Sequence, residues 1–201
     1  MIRFTLVALF TVIVTLPVHG TPCISGPPNL VSNCGFETGD FTNWTLSGHD
    51  SASGYNGIDY GVDSADSRSG VYGIYVAGFG GVLDLSQILP TTAGTSYVIS
   101  FCLAQSLAPI APYENSFSAN FGSDNLVSLM QVPAIEFTEY QFSASALSTQ
   151  TALVFGARDD NGFFSIDDVS VTAVATPEPR AGCLALSGVG LGICLLRRRT
   201  L

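Results

Sequence analysis

The middle of this chain has a rhythm that leaves few folds open. From Asn29 to Val174, short apolar stretches alternate with clusters of glycine, proline, serine and asparagine, and helical signals are almost absent. Tyr97, Ile99, Phe101 and Leu103 occupy every second position, and so do Tyr140, Phe142 and Ala144, and Phe117, Ala119 and Phe121. A period of two places such a set on one side of a pleated strand. Candidate strands fall at 29–36, 44–47, 71–77, 81–88, 96–104, 116–121, 125–131, 139–144, 151–156 and 163–174. Many short strands separated by turn residues predict an all-β antiparallel sandwich. The glycine-, serine- and aspartate-rich stretch 48–70 is expected as a long loop at one end, and 109–115, with Pro109, Pro112 and Tyr113, as a second loop.

Both ends follow other rules. Met1–Gly20 has Arg3, then an apolar stretch from Phe4 to Leu16, then Val18-His19-Gly20, and reads as a signal peptide. Thr21–Pro28, with Pro22, Gly26, Pro27 and Pro28, is a lead-in. At the other end, Pro177-Glu178-Pro179 fixes an extended segment that joins neither helix nor central strand. Ala181–Leu196 follows without a charge. As a helix it spans about 24 Å, a little short of a ~30 Å hydrocarbon core. Arg197-Arg198-Arg199 then reads as a stop-transfer signal, cytoplasmic by its charge. The expected division is 1–20 signal peptide, 21–175 sandwich and 176–201 anchor segment, with the protein exported.

Charge narrows the partners. The chain has no lysine, and between Cys23 and Thr176 two arginines, Arg68 and Arg158, stand against fifteen carboxylates. Nucleic acid, which needs a positive face, is excluded as a partner. The acidic balance suits a secreted protein meeting cations or neutral polymers, or serves solubility alone. Of five cysteines, Cys183 and Cys194 lie in the apolar tail. Cys23, Cys34 and Cys102 allow one internal pair at most; Cys23 with Cys34, close in sequence, is the expected disulfide in an oxidising compartment, against three reduced thiols.

Catalytic signals are sparse. His49 is the one histidine after the leader, and there is no His-Glu-x-x-His, Gly-x-Ser-x-Gly or Cys-x-x-Cys. A glycosidase needs two facing carboxylates, and the sequence singles out no pair. No enzyme is expected. Asp59, Asp63 and Asp66, and the Asp159-Asp160-Asn161-Gly162 turn, are expected to be solvated. Asn43-Trp44-Thr45 matches a glycosylation acceptor, a three-residue pattern short enough to arise by coincidence. Trp44 is expected in the core, and Tyr55, Tyr60, Tyr72, Tyr75 and Tyr113, beside polar loops, as better sugar platforms.

Two resemblances follow. Pro177-Glu178-Pro179, the uncharged run and the three arginines, in that order, resemble the PEP-CTERM sorting signal of Gram-negative bacteria, although Arg180 stands where an apolar residue is usual. That resemblance implies that 176–201 is a sorting segment and a transient inner-membrane anchor, with cleavage near 177–179 by an exosortase-type membrane protease and delivery to the cell surface or extracellular polysaccharide matrix. The stretch Asn29-Leu-Val-Ser-Asn-Cys-Gly-Phe-Glu37, then Gly39-Asp40-Phe41, Asn43-Trp44-Thr45, Leu85-Ser86-Gln87 and Phe164-Ser-Ile-Asp-Asp-Val-Ser-Val171, resembles the galactose-binding-like jelly roll of carbohydrate-binding modules for cellulose, xylan and related glucans, with Cys34 where glycine is usual.

Ile166 and Val169, three apart, cannot share a face of a regular strand, so 164–171 is buried on both sides or carries a bulge at Asp167-Asp168. In a jelly roll the first and last strands are neighbours, so Glu37 can meet Asp167 or Asp168. The resemblance implies a structural calcium ion there; the alternative is that the three are solvated or take turn amides. The expected role is a structural or adhesive surface or matrix protein linked to exopolysaccharide. The alternative is a carbohydrate-binding module with a defined glycan, with a hydrolase third.

Overall fold

The computed structural model describes residues 23–26, 28–48 and 60–174. The expected leader, the 49–59 stretch with His49, Tyr55 and Asp59, and the tail with Pro177, Glu178, Pro179 and Arg197, Arg198, Arg199 lie outside the described residues. The described part is all-β, with ten strands: β1 Thr45–Gly48, β2 Tyr60–Asp63, β3 Gly73–Val76, β4 Leu83–Pro90, β5 Ser96–Gln105, β6 Asn115–Phe121, β7 Asp124–Met130, β8 Ile135–Ser145, β9 Gln150–Asp159 and β10 Phe164–Ala173. They form two five-stranded antiparallel sheets, one in the order β2-β3-β10-β5-β8 and the other in the order β1-β4-β9-β6-β7.

The alternating sets meet between the sheets. Phe101 of β5 packs edge-on against Phe155 of β9, with centroids 5.0 Å apart, and against Phe117 of β6 at 5.8 Å. Phe164 of β10 reaches Phe117 from the same side as Phe101. Trp44 is buried, stacked on Phe36 at 5.5 Å, and its indole donates to the Asn33 carbonyl. Large aromatics bury the most apolar surface per residue and set a two-sheet spacing with few rotamers.

Two expected elements differ. Stretch 29–36 forms no strand: an isolated bridge joins Asn29 to Thr172, and Asn33 and Phe36 adopt left-handed backbone, φ 48° and 56°. Val31, Cys34 and Phe36 are buried all the same, so the apolar residues serve packing and not a ladder. Conversely, Tyr60–Asp63, expected inside a loop, pairs with β3. Its four residues are too few to show a period.

Strand β10 carries the expected bulge. Asp167 pairs with Cys102 and Ser170 with Ser100, so Asp168 and Val169 oppose the single residue Phe101, and Asp168 sits at φ 52°. The extra residue resets the alternation, and Ile166 and Val169 both point inward, fully buried. Before the bulge β10 pairs with β3; after it, the N-terminal segment takes that side. Val169 N–H donates to the Cys34 carbonyl and Leu30 N–H to the Val171 carbonyl, both at 2.9 Å. Cys23 and Cys34 are joined as a disulfide, Cα–Cα 5.9 Å, and the Cys23 amide donates to Asp168.

The outer side of the bulge holds the connection 64–72 between β2 and β3. Asp167 Oδ2 accepts the amides of Arg68 at 2.8 Å and Ser69 at 3.0 Å, and Oδ1 that of Asp168. Asp168 accepts the Arg68 guanidinium at 2.7 Å and the Ser69 hydroxyl at 2.6 Å. Glu37 accepts the amides of Val71 and Tyr72. Gly70 is at φ 69°, and a side chain there would run into the Glu37 carboxylate. Every oxygen of the three carboxylates therefore accepts a hydrogen bond from the protein.

Burial, opposed by the Ser69 amide and reinforced by the Asp168 charge, pushes the Asp167 carboxyl up to about 6. A carboxyl that holds its proton more tightly folded than unfolded contributes stability at low pH, and the contribution is lost as pH rises through its folded value. In urea titrations from about pH 4 to about pH 7, Asp167→Asn is expected to flatten the fall in unfolding free energy by up to about 2 kcal/mol. An unchanged slope sinks the assignment. Because donors already face these oxygens, EDTA and added calcium are expected to leave the melting temperature unchanged; a rise with calcium contradicts this geometry.

Candidate functional site

The acidic set is the first candidate. Glu37, Asp167 and Asp168 do converge, as the chain order suggested, but on the 64–72 connection. Their partners are amides, a hydroxyl and a guanidinium, and a cation needs oxygens turned toward it. Among the described residues, no three His, Cys, Asp or Glu side chains are grouped to hold a metal ion. The donor set does not fit calcium. Cys102, opposite Asp167 on β5, is a buried thiol pushed up to about 12 by burial, which keeps it protonated.

Folded across the outer side of the β10 bulge, the connection becomes one wall of a groove. The groove has a volume of about 560 Å³, within the range of small-ligand sites. Its floor is made of small residues, Ala104 of β5 and Ser165 of β10, which are cross-strand partners. Ala65, Asp66 and Ser67 form one wall, and the start of β8, with Glu136 and Phe137, forms the other. Phe163 and Ser106 close one end.

The local order explains the placement. Phe163 and Phe164 are adjacent, and neighbours on a strand point to opposite faces. Phe164 enters the core, while Phe163 stays half-buried outside, with its ring 5.5 Å from that of Tyr75. Ser106 fixes it: the Phe163 amide donates to the Ser106 hydroxyl at 3.1 Å, and the Ser106 amide and hydroxyl both donate to the Phe163 carbonyl at 3.2 Å. Beneath, buried Asp159 accepts from the Gln105 side chain and from the amides of Asn161 and Gly162. Burial raises its carboxyl, while these bonds pull the other way. On the opposite wall, a register shift between Leu103 and Gln105 of β5 breaks the regular pairing with β8 at Phe137.

Asp66 and Asp159 are thus buried, not solvated as expected. The Ser165 hydroxyl donates to Asp66 Oδ1. Burial raises the Asp66 carboxyl above its ordinary range, with the Ser165 bond opposing and the Asp63 charge adding. Of the tyrosine platforms, Tyr60 and Tyr113 are exposed, Tyr72 packs beside Gly39, and Tyr75 flanks Phe163. None of these four lines the groove; its aromatic lining is Phe137 on one wall and Phe163 at one end. The Phe-Phe doublet is a readable sign for Phe163, whereas Phe137 lies just before the expected start of its strand and gives none.

No protein-family model matches the chain, and no curated protein matches it. Solved structures do. The chain is similar to TmCBM61, described in complex with β-1,4-galactotriose, with a TM-score of 0.52 and 17% identity, over 73% of this chain and 99% of that one. It is similar to the CBM22-1 xylan-binding domain of Paenibacillus barcinonensis Xyn10C, with a TM-score of 0.51 and 16% identity, over 79% of this chain and 100% of that one. A part of the tailspike protein 4 enzymatically active domain of bacteriophage CBA120 also matches, at 0.53 and 16%, over 73% of this chain and 22% of that one. The shared property is the fold: a two-sheet sandwich that in two of these three structures makes up essentially the whole of a carbohydrate-binding module.

Proposed function

We propose that this sandwich is a carbohydrate-binding module, and that it binds glycan in the groove between Phe137 and Phe163. The observation that carries the reading is the pairing of two half-buried aromatic rings with a floor of small side chains and a rim of polar ones. Sugar rings present apolar C–H faces and polar edges, and such a groove meets both. The likeness in fold to modules named for galactotriose and xylan supports this class of ligand. It is preferred to a purely structural or adhesive matrix role, since a matrix role alone calls for no preformed groove.

Export belongs to the same reading. The leader at Met1–Gly20 and the Pro177-Glu178-Pro179 tail are the basis for an exosortase-type protease as partner and the cell surface or matrix as destination. A non-catalytic role agrees with the sparse catalytic motifs.

Two experiments test these proposals. In affinity electrophoresis of the full chain through gels containing xylan, galactan, glucan or the host's own polysaccharide, at least one polymer is expected to retard the protein. Phe137→Ala and Phe163→Ala should each weaken that binding about tenfold, the effect of losing an anchor worth about 1.4 kcal/mol; retardation by none, or variants that bind as the parent does, removes the groove. Deleting Pro177–Pro179 is expected to leave a larger, membrane-held product in cell fractions. If destination and size do not change, the sorting proposal fails.

A further inference from the structure

The groove contains a charge selection of its own. Its walls contribute two carboxylates, Asp66 from the connection and Glu136 from β8, and its lining has no lysine, arginine or histidine. Side-chain donors are missing as well, because each one present is already committed. The Ser67 hydroxyl donates to the Ser69 carbonyl at 2.6 Å, that of Ser106 to the Phe163 carbonyl, and that of Ser165 to Asp66. The Gln105 amide donates to the Leu107 carbonyl and to Asp159, while its oxygen takes the Ser106 amide. Asp66 is buried, and beyond Ser165 no donor among the described residues reaches it.

A ligand entering this groove therefore finds side-chain acceptors and negative charge, and must supply the donors itself. A uronate, sulfated or phosphorylated sugar would set its anion against two carboxylates with no side-chain donor to offset the repulsion. A protonated amino group brings three donors and the complementary charge.

We propose that the groove recognises glycans carrying free amino groups, that is, de-N-acetylated hexosamine units, with Asp66 and Glu136 as the ammonium acceptors and Phe137 and Phe163 against the ring faces. This rests on the carbohydrate-binding reading and narrows it. The charge of the chain as a whole is not sufficient for the selection, because Glu139 of β8 is exposed outside the groove and has no part in it.

The test is calorimetry of the full-length chain in mild detergent at near-physiological salt, with three probes: a β-1,4-linked glucosamine hexamer, the matching N-acetylglucosamine hexamer, and a galacturonate hexamer. The amine-bearing hexamer is expected to bind about tenfold tighter than its acetylated twin, the scale of one charge-assisted hydrogen bond, and the galacturonate hexamer not to bind. Asp66→Asn and Glu136→Gln should each abolish that preference, while Glu139→Gln leaves it intact. Glu136 is exposed, so its variant carries the test even if Asp66→Asn does not fold. Equal loss with Glu139→Gln assigns the preference to the general acidic surface and overturns the proposal. Tighter binding of the acetylated hexamer, still sensitive to Phe137→Ala, overturns amine recognition and leaves the groove standing. If no hexamer binds, the proposal falls, and the polysaccharide gels decide the groove separately.

Discussion

One inserted residue in β10 sets the arrangement of this molecule. By placing Asp168 and Val169 opposite Phe101 alone, the chain keeps Ile166, Val169 and Val171 in the core and turns Asp167 and Asp168 to the outer side of the sheet as buried carboxylates. Burying two adjacent carboxylates is unfavourable unless donors meet them. Most of the donors come from the 64–72 connection, and the others are the Cys23 amide and the Asp168 amide itself. The same bulge thus fixes both the N-terminal segment and the connection. Arg68 is carried by the backbone that the carboxylates hold, so one set of contacts places both the charge and the chain.

What the sequence reveals follows from how each segment is buried. β5, β6 and β8 turn one face to the core, so their alternation is legible in the order of residues alone. The spacing of Ile166 and Val169 marks β10 as irregular, because no regular strand accommodates it. β2 is hidden because four residues with one strong apolar position, Val62, show no period. Segment 29–36 misleads for the opposite reason: Val31 and Phe36 are as buried as strand residues, but the chain reaches them through left-handed turns. The convergence of Glu37 with Asp167 and Asp168 is legible, but their partners are not. Nothing local marks the amides of Arg68 and Ser69, about a hundred positions away, as the match of Asp167; only the path of the connection brings them there.

The groove depends on residues that contribute little to a strand. At the centre of the outer face of this sheet, β5 carries Ser100, Cys102 and Ala104, and β10 carries Ser165 and Ser170, all of them small. Alanine and serine are poor choices for sheet stability compared with valine, isoleucine or threonine. Their value is room. With bulky side chains at 102 and 104, the connection would not lie close enough for Asp167 to take its amides, and the floor between Phe137 and Phe163 would be filled. Directly beneath, on the inner side of the same strands, Phe101, Leu103 and Phe164 are fully buried, and the two rings pack against Phe117 and Phe155 of the other sheet. The sheet is therefore small on one side and heavily packed on the other. A thin, firmly backed floor would move little under the proposed ligand, and less ordering on binding leaves more of the contact energy as affinity.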